Sequence, residues 1–195
     1  MTKFLVVGLL FLSLQVGALS TDPDVHWRTI RTKHFEIIYN RDQRDLADAY
    51  ALAAEQSYSL LQTRFSEMPW KTYVVLNDNT DLANGGATFI PSPLIQVYPV
   101  MPDGQSTLDY FGNWPLNMMI HEYTHILTFQ PAHGYYTPLK YVFGTIVRPN
   151  GILPRWYHEG LAVESETRFT PWGRLKSPRT FAEFRALVQD QKLRK

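Results

Sequence analysis

Residues 114–130 read Trp114-Pro115-Leu116-Asn117-Met118-Met119-Ile120-His121-Glu122-Tyr123-Thr124-His125-Ile126-Leu127-Thr128-Phe129-Gln130. Asn113 stands as N-cap, Pro115 falls in the first turn, and Leu116, Met119, Ile120, Tyr123 and Leu127 recur at three- and four-residue spacing. The stretch therefore predicts a capped amphipathic helix. On such a helix His121 and His125 lie on one face about one turn apart, which suits two ligands of a single tetrahedral zinc. Glu122 lies about 100° around the helix from His121, too far to ligate comfortably but able to reach a water on the metal. That is the position of a general base.

A catalytic zinc takes a third protein ligand and keeps one position open. An H-E-x-x-H-x-x-G-x-x-H extension needs Gly at 128 and His at 131, where the chain has Thr128 and Pro131. The other common solution is a Glu from a second helix, and Pro154-Arg155-Trp156-Tyr157-His158-Glu159-Gly160-Leu161-Ala162 supplies one. Glu159 is the expected third ligand, with Gly160 and Ala162 small enough for the two helices to approach closely.

Upstream, Phe35, Ile37 and Tyr39 alternate in a strand that ends near Asn40. From Asp42 as N-cap, the apolar spacing out to Phe65 predicts a long helix stopping before Pro69, followed by a buried strand at Thr72–Leu76. Gly85–Ile90 and Leu94–Tyr98 are short strand candidates around Pro91-Ser92-Pro93, and the prolines suggest a sheet edge. Downstream come a helix opening at Pro154 and another with Ser177 as N-cap and Pro178 at its first position, expected to bury Phe181, Phe184, Leu187 and Val188. The connection Pro131–Leu153 carries a weaker helical pattern around Leu139–Val147. The expectation is an α+β fold with a β-containing lobe over 21–102, a helical lobe over 103–195 and a cleft between them.

The chain has 195 residues, 45% of them hydrophobic and 14% aromatic, with 19 Lys plus Arg against 18 Asp plus Glu. This is one domain's worth of sequence, too apolar for disorder and too evenly charged for a nucleic-acid footprint. Cys is absent, which removes disulfides, thiolate metal sites and Cys nucleophiles, so any metal must sit on His and carboxylates. At the N-terminus Lys3, the apolar run Phe4–Leu12 and the small residues Ala18 and Ser20 have the pattern of a secretory signal over residues 1–20. The apolar stretch contains Ser13 and Gln15 and falls short of the roughly 20 residues a span needs, so no stable membrane insertion is expected once the signal is removed. A secreted or periplasmic protein follows.

His121-Glu122-x-x-His125 followed by Trp156-x-x-Glu159-Gly160-x-Ala162 resembles the gluzincin (peptidase MA-like) zinc metallopeptidases, the group that includes thermolysin and the aminopeptidases. Trp27-Arg28-Thr29-Ile30, His34-Phe35-x-Ile37-x-Tyr39 and Asn84-Gly85-Gly86-Ala87 resemble secreted bacterial members in which this domain precedes a TolB-like β-propeller. The resemblance covers roughly residues 25–170. It implies a two-lobed zincin-like domain, one Zn2+ per chain on His121, His125 and Glu159, and peptide hydrolysis with Glu122 as base. It also implies a peptide or protein substrate pairing with an edge strand at Asn84–Phe89 or Leu94–Tyr98, and a propeller downstream. The chain ends in Gln189–Lys195 without a structural stop, consistent with the front part of a longer protein.

The family's second oxyanion donor is open among Tyr135, Tyr136, Tyr157 and His158, the last read as a surface or supporting residue. Thermolysin-type sites hold the first His with an acid four residues after the Glu ligand; Val163 stands there, and Glu164 comes one later. The absence of an acid in Gly85–Phe89 favours an endopeptidase over an aminopeptidase amine clamp. His26, His34 and His133 are expected to be solvated or capping residues, and Arg155 and Arg168 to lie on a solvated helix face. Two alternatives share these residues: a non-catalytic envelope binding or assembly module with a structural or vestigial metal, and hydrolysis of a non-peptide bond.

Overall fold

The structure is a computed structural model that describes residues 25–81, 83–102 and 112–190. The expected signal segment, 1–20, lies outside the described residues. A five-stranded mixed sheet has the order β1 (Trp27–Arg31), β2 (Phe35–Asn40), β3 (Thr72–Leu76), β5 (Leu94–Tyr98), β4 (Asn84–Thr88). β1 and β2 form an antiparallel hairpin, β2, β3 and β5 run parallel, and β4 returns antiparallel to β5. Together with five α-helices this makes a mixed α+β fold.

The alternation read in Phe35, Ile37 and Tyr39 is the buried face of β2, continued by Val74 and Leu76 of β3 and Ile95 and Val97 of β5. Helix α1 (Arg44–Leu61) covers that face with Ala47, Tyr50, Ala54 and Leu61. It is shorter than its apolar pattern predicts: a 3-10 turn at Arg41–Gln43 precedes it and Gln43, not Asp42, is its N-cap. The second helix, α2 (Trp114–Thr128), adds Met119, Ile120, Tyr123 and Leu127 to the same core, so the sheet and the metal-motif helix share one hydrophobic cluster. Its start follows the sequence reading, with Asn113 Oδ1 accepting from the Leu116 amide at 3.1 Å.

Of the two Pro-flanked strands only β4 is an edge; β5 is interior, paired to β3 and β4. The long connection contains α3 (Tyr136–Phe143), and α4 (Arg155–Phe169) opens after Pro154 as expected. Helix α5 (Pro178–Gln189) also forms after Ser177, but it does not bury its stripe: Phe181, Phe184, Leu187 and Val188 all remain exposed. The periodicity correctly marks an apolar face; among the described residues nothing covers it. No helix among the described residues is long and apolar enough to cross a membrane.

His34 departs from its expected solvated role and ties α1 to the sheet. Its ring stacks on Tyr58 with centroids 3.6 Å apart, while its backbone N–H reaches Glu55 Oε1 at 2.8 Å and its Nδ1 lies 2.7 Å from Glu55 Oε2. Burial alone would raise the Glu55 pKa, but the Thr32 and His34 contacts outweigh it and hold the carboxyl below its usual value. A depressed folded pKa contributes stability that is present above the unfolded carboxyl value and lost as pH falls through the folded one. Glu55→Gln should cost about 1–3 kcal/mol near neutrality. The gap from the parent should narrow below about pH 4, as read by urea unfolding across pH; stability curves that stay parallel would contradict this account.

Candidate metal centre

Helices α2 and α4 pack against each other and bring together the three residues that sequence alone nominates. His121 Nε2 and His125 Nε2 are 3.3 Å apart, and Glu159 Oε2 stands 3.6 Å from the first and 3.7 Å from the second. In a tetrahedral site with bonds of about 2.0–2.2 Å, ligand atoms are about 3.4 Å from one another. The triangle matches that spacing on every edge, and its two imidazoles and one carboxylate suit zinc chemically. Among the described residues this is the one group of His and acidic side chains close enough to hold a metal ion.

The electrostatics place two of the three in the binding form. Contact with His121 holds the Glu159 carboxyl down at about 2 despite partial burial. Burial and the neighbouring His121 push His125 down to about 4, leaving its ring neutral with a free lone pair. Burial also opposes a charged His121, yet Glu159 and Glu166 outweigh it and raise its pKa. Glu122, buried beside them, is pushed up to about 7 chiefly by desolvation, with the Glu159 and Glu166 charges adding to it and His121 and Arg174 opposing. It sits where a carboxylate can take and release a proton near neutrality.

The acid that holds His121 is Glu166, which the sequence reading missed. Its carboxylate is 1% exposed, and Oε2 lies 3.2 Å from His121 Nδ1. Arg174 clamps the other oxygen, its backbone N–H reaching Oε1 at 3.2 Å and its Nε standing 3.0 Å away. Arg174 Nη2 also lies 3.0 Å from His121 Nδ1. In the neutral ring that would bind a metal through Nε2, the proton is on Nδ1 and faces the Glu166 carboxylate, which Arg174 also holds. Glu164, the nearer candidate, instead turns outward to ion-pair with Arg64 and Arg168. The available signal was Glu166 seven residues after Glu159, a spacing that returns to the same helix face.

The cleft over these residues has a volume of ≈ 560 Å³ and runs between β4, α2 and α4. Of the four residues considered as a second oxyanion donor, His158 lines it, whereas Tyr135, Tyr136 and Tyr157 do not. His158 is also more buried than expected, stacked on Phe129 with centroids 4.6 Å apart, and its ring nitrogens have no hydrogen-bond partner among the described residues. The cations at the cleft are Arg174 and Arg155; Arg155 lies on the solvated helix face expected of it, 92% exposed and 3.5 Å from Glu159 Oε1. Ala162 is fully buried, in keeping with its small-residue role, but a side chain at Gly160 would meet open space, so Gly160 is not needed for the helix approach.

No protein family, curated protein or solved structure matches this chain. The site therefore rests on its own geometry. Glu166→Gln keeps the volume and removes the charge that orients His121. Zinc affinity measured by competition with a chromophoric chelator should fall about 10–100-fold with the fold intact; unchanged affinity would show that the carboxylate does not support the ligand.

Proposed function

We propose that this chain is a zinc metallopeptidase of gluzincin type, with His121, His125 and Glu159 as ligands and Glu122 as general base. The observation that carries the reading is the metal-sized triangle of those three groups with a buried carboxylate beside it in an open cleft. A zinc ion held by these three residues would supply Lewis acidity toward a substrate carbonyl and water. Glu122 accepts the proton of the attacking water and returns it to the leaving amine. Glu166 would hold His121 in its ligating tautomer, with Arg174 clamping that carboxylate from the cleft wall.

β4 supports a peptide as the substrate. It is an edge strand, it lines the cleft through Asn84–Ala87, and its outer backbone groups, other than the Gly85 N–H that Asn84 Oδ1 accepts from, can pair with an extended chain. Pairing through the main chain, with no acid on the strand to clamp a free amine, favours internal cleavage. Function outside the cytoplasm, with a peptide or protein substrate, is part of the same proposal.

Two variants test it. Glu122→Gln should retain about one zinc per chain and lose about 10²–10⁴-fold in turnover of a peptide library, whereas Glu159→Ala should lose zinc under mild chelation. A Glu122→Gln protein as active as its parent would replace the peptidase with a binding module, and a folded parent that takes up no zinc would remove the metal from the account.

A further inference from the structure

From Tyr123 to His158 the chain contains no Asp or Glu, although it holds 18 acidic residues in all. Lys140, Arg148 and Arg155 are spread along that run, among Tyr135, Tyr136, Tyr141, Trp156 and Tyr157. The segment after α2 is fastened to the body by polar contacts. Lys140 Nζ donates to the Gln130 carbonyl and Asn150 Nδ2 to the Thr128 carbonyl at 2.8 Å, and within the segment Thr137 Oγ1 donates to the Ala132 carbonyl at 2.9 Å.

Its apolar side chains point away from that attachment. Leu139, Val142 and Phe143 fall at i, i+3, i+4 on one face of α3, and Ile146 follows in the 3-10 turn after Gly144, yet all are exposed, Val142 and Ile146 to 70%. Beyond them Ile152 is 90% and Trp156 73% exposed. A stripe of this kind on a folded protein marks an interaction surface.

We propose that this face, from α3 to the first turn of α4, docks on the surface of an anionic lipid membrane. An aliphatic stripe sinks to the acyl boundary, Tyr and Trp rings sit at headgroup depth, and Arg155, its side chain 92% exposed, meets lipid phosphates, while Lys140 is held inward by Gln130 and Glu67 and Arg148 lies over the Phe89 ring. A second copy fits the face less well, since a twofold contact would set the exposed Arg155 and a run of chain without any acid against itself. The acidic groups that reach the segment are Glu67, 3.6 Å from Lys140 and 3.5 Å from His133, and Glu159 beside Arg155. Gly151, Leu153 and Arg155 belong both to this segment and to the cleft wall, so docking would present the candidate metal centre to substrates at the bilayer surface.

The test is co-sedimentation of the whole chain with vesicles of phosphatidylglycerol and phosphatidylcholine, beside phosphatidylcholine alone. The triple variant Val142→Ser/Ile146→Ser/Ile152→Ser is run in parallel. These side chains are exposed, so the variant's thermal unfolding should match the parent's. The parent is expected to partition onto the mixed vesicles at least ~10-fold more strongly than the variant and to lose most of that binding in high salt. Trp156 emission should shift to the blue and be quenched by brominated lipid, and Trp156→Phe should remove that component. Equal partitioning of parent and variant, or a parent that stays in the supernatant, overturns the proposal. A parent dimer in sedimentation velocity that the triple substitution dissociates overturns it in favour of self-association.

Discussion

The Glu166 carboxylate is the interaction on which the site depends. At 1% exposure it is a desolvated charge, tolerable only because every side of it is occupied by a donor or a cation. Those partners come from three places: His121 on α2, the Arg174 backbone amide, and the Arg174 guanidinium. The chain must double back after α4 to deliver the last two, and it does so through Gly173 at φ +107°, where a side chain would come within 2.7 Å of Thr167. The same turn is secured by Thr170 Oγ1 donating to the Glu166 carbonyl at 2.7 Å and Lys176 Nζ donating to the Thr170 carbonyl at 2.7 Å. Satisfying one buried acid thus fixes the direction of the chain after α4 and the orientation of the first metal-site histidine.

Two carboxylates of α4 reach the two sides of one ring. Glu159 and Glu166 are two turns apart on the same face, about 10 Å along the axis. Between them the His121 imidazole presents Nε2 to Glu159 and Nδ1 to Glu166. Fully buried Ala162 between the two acids is what lets α4 come close enough for both reaches. The thermolysin-type position, four residues after Glu159, holds the apolar Val163, and Glu164 beside it is taken by Arg64 and Arg168, so the support for His121 comes from the next turn instead.

The parts of the fold and site legible in the sequence are those set by local periodicity. His121, Glu122 and His125 are fixed relative to one another by the helix itself, and the strands at Phe35–Asn40 and Thr72–Leu76 by alternation. Glu159 could be named because its motif is short and adjacent to a helix start. Arg174 could not, because its role is created by a turn whose conformation depends on tertiary contacts with Thr167 and Glu166. The exposed stripes of α3 and α5 show the converse limit: spacing identifies an apolar face but carries no information about what lies opposite it. The interior position of β5 is similar, since flanking prolines constrain the ends of a strand and not its neighbours in the sheet.

The composition of β4 violates the rules of strand formation, and the site accounts for the violation. Asn84-Gly85-Gly86-Ala87-Thr88 has little intrinsic preference for extended structure, yet it completes the sheet beside the cleft. A Cβ on Gly85 would lie 2.7 Å from Met118 Sδ and 3.2 Å from both Cγ and Oε1 of Glu122. A bare backbone is therefore what lets the edge strand press against α2 over the candidate base. That contact excludes water from the Glu122 carboxyl and contributes the desolvation that raises its pKa. A better strand-forming residue at 85 would strengthen the sheet locally while forcing the strand away from the helix. Local preference is overridden here by the need to bring an open strand edge, a buried carboxylate and a metal-sized triangle of ligands into one cleft.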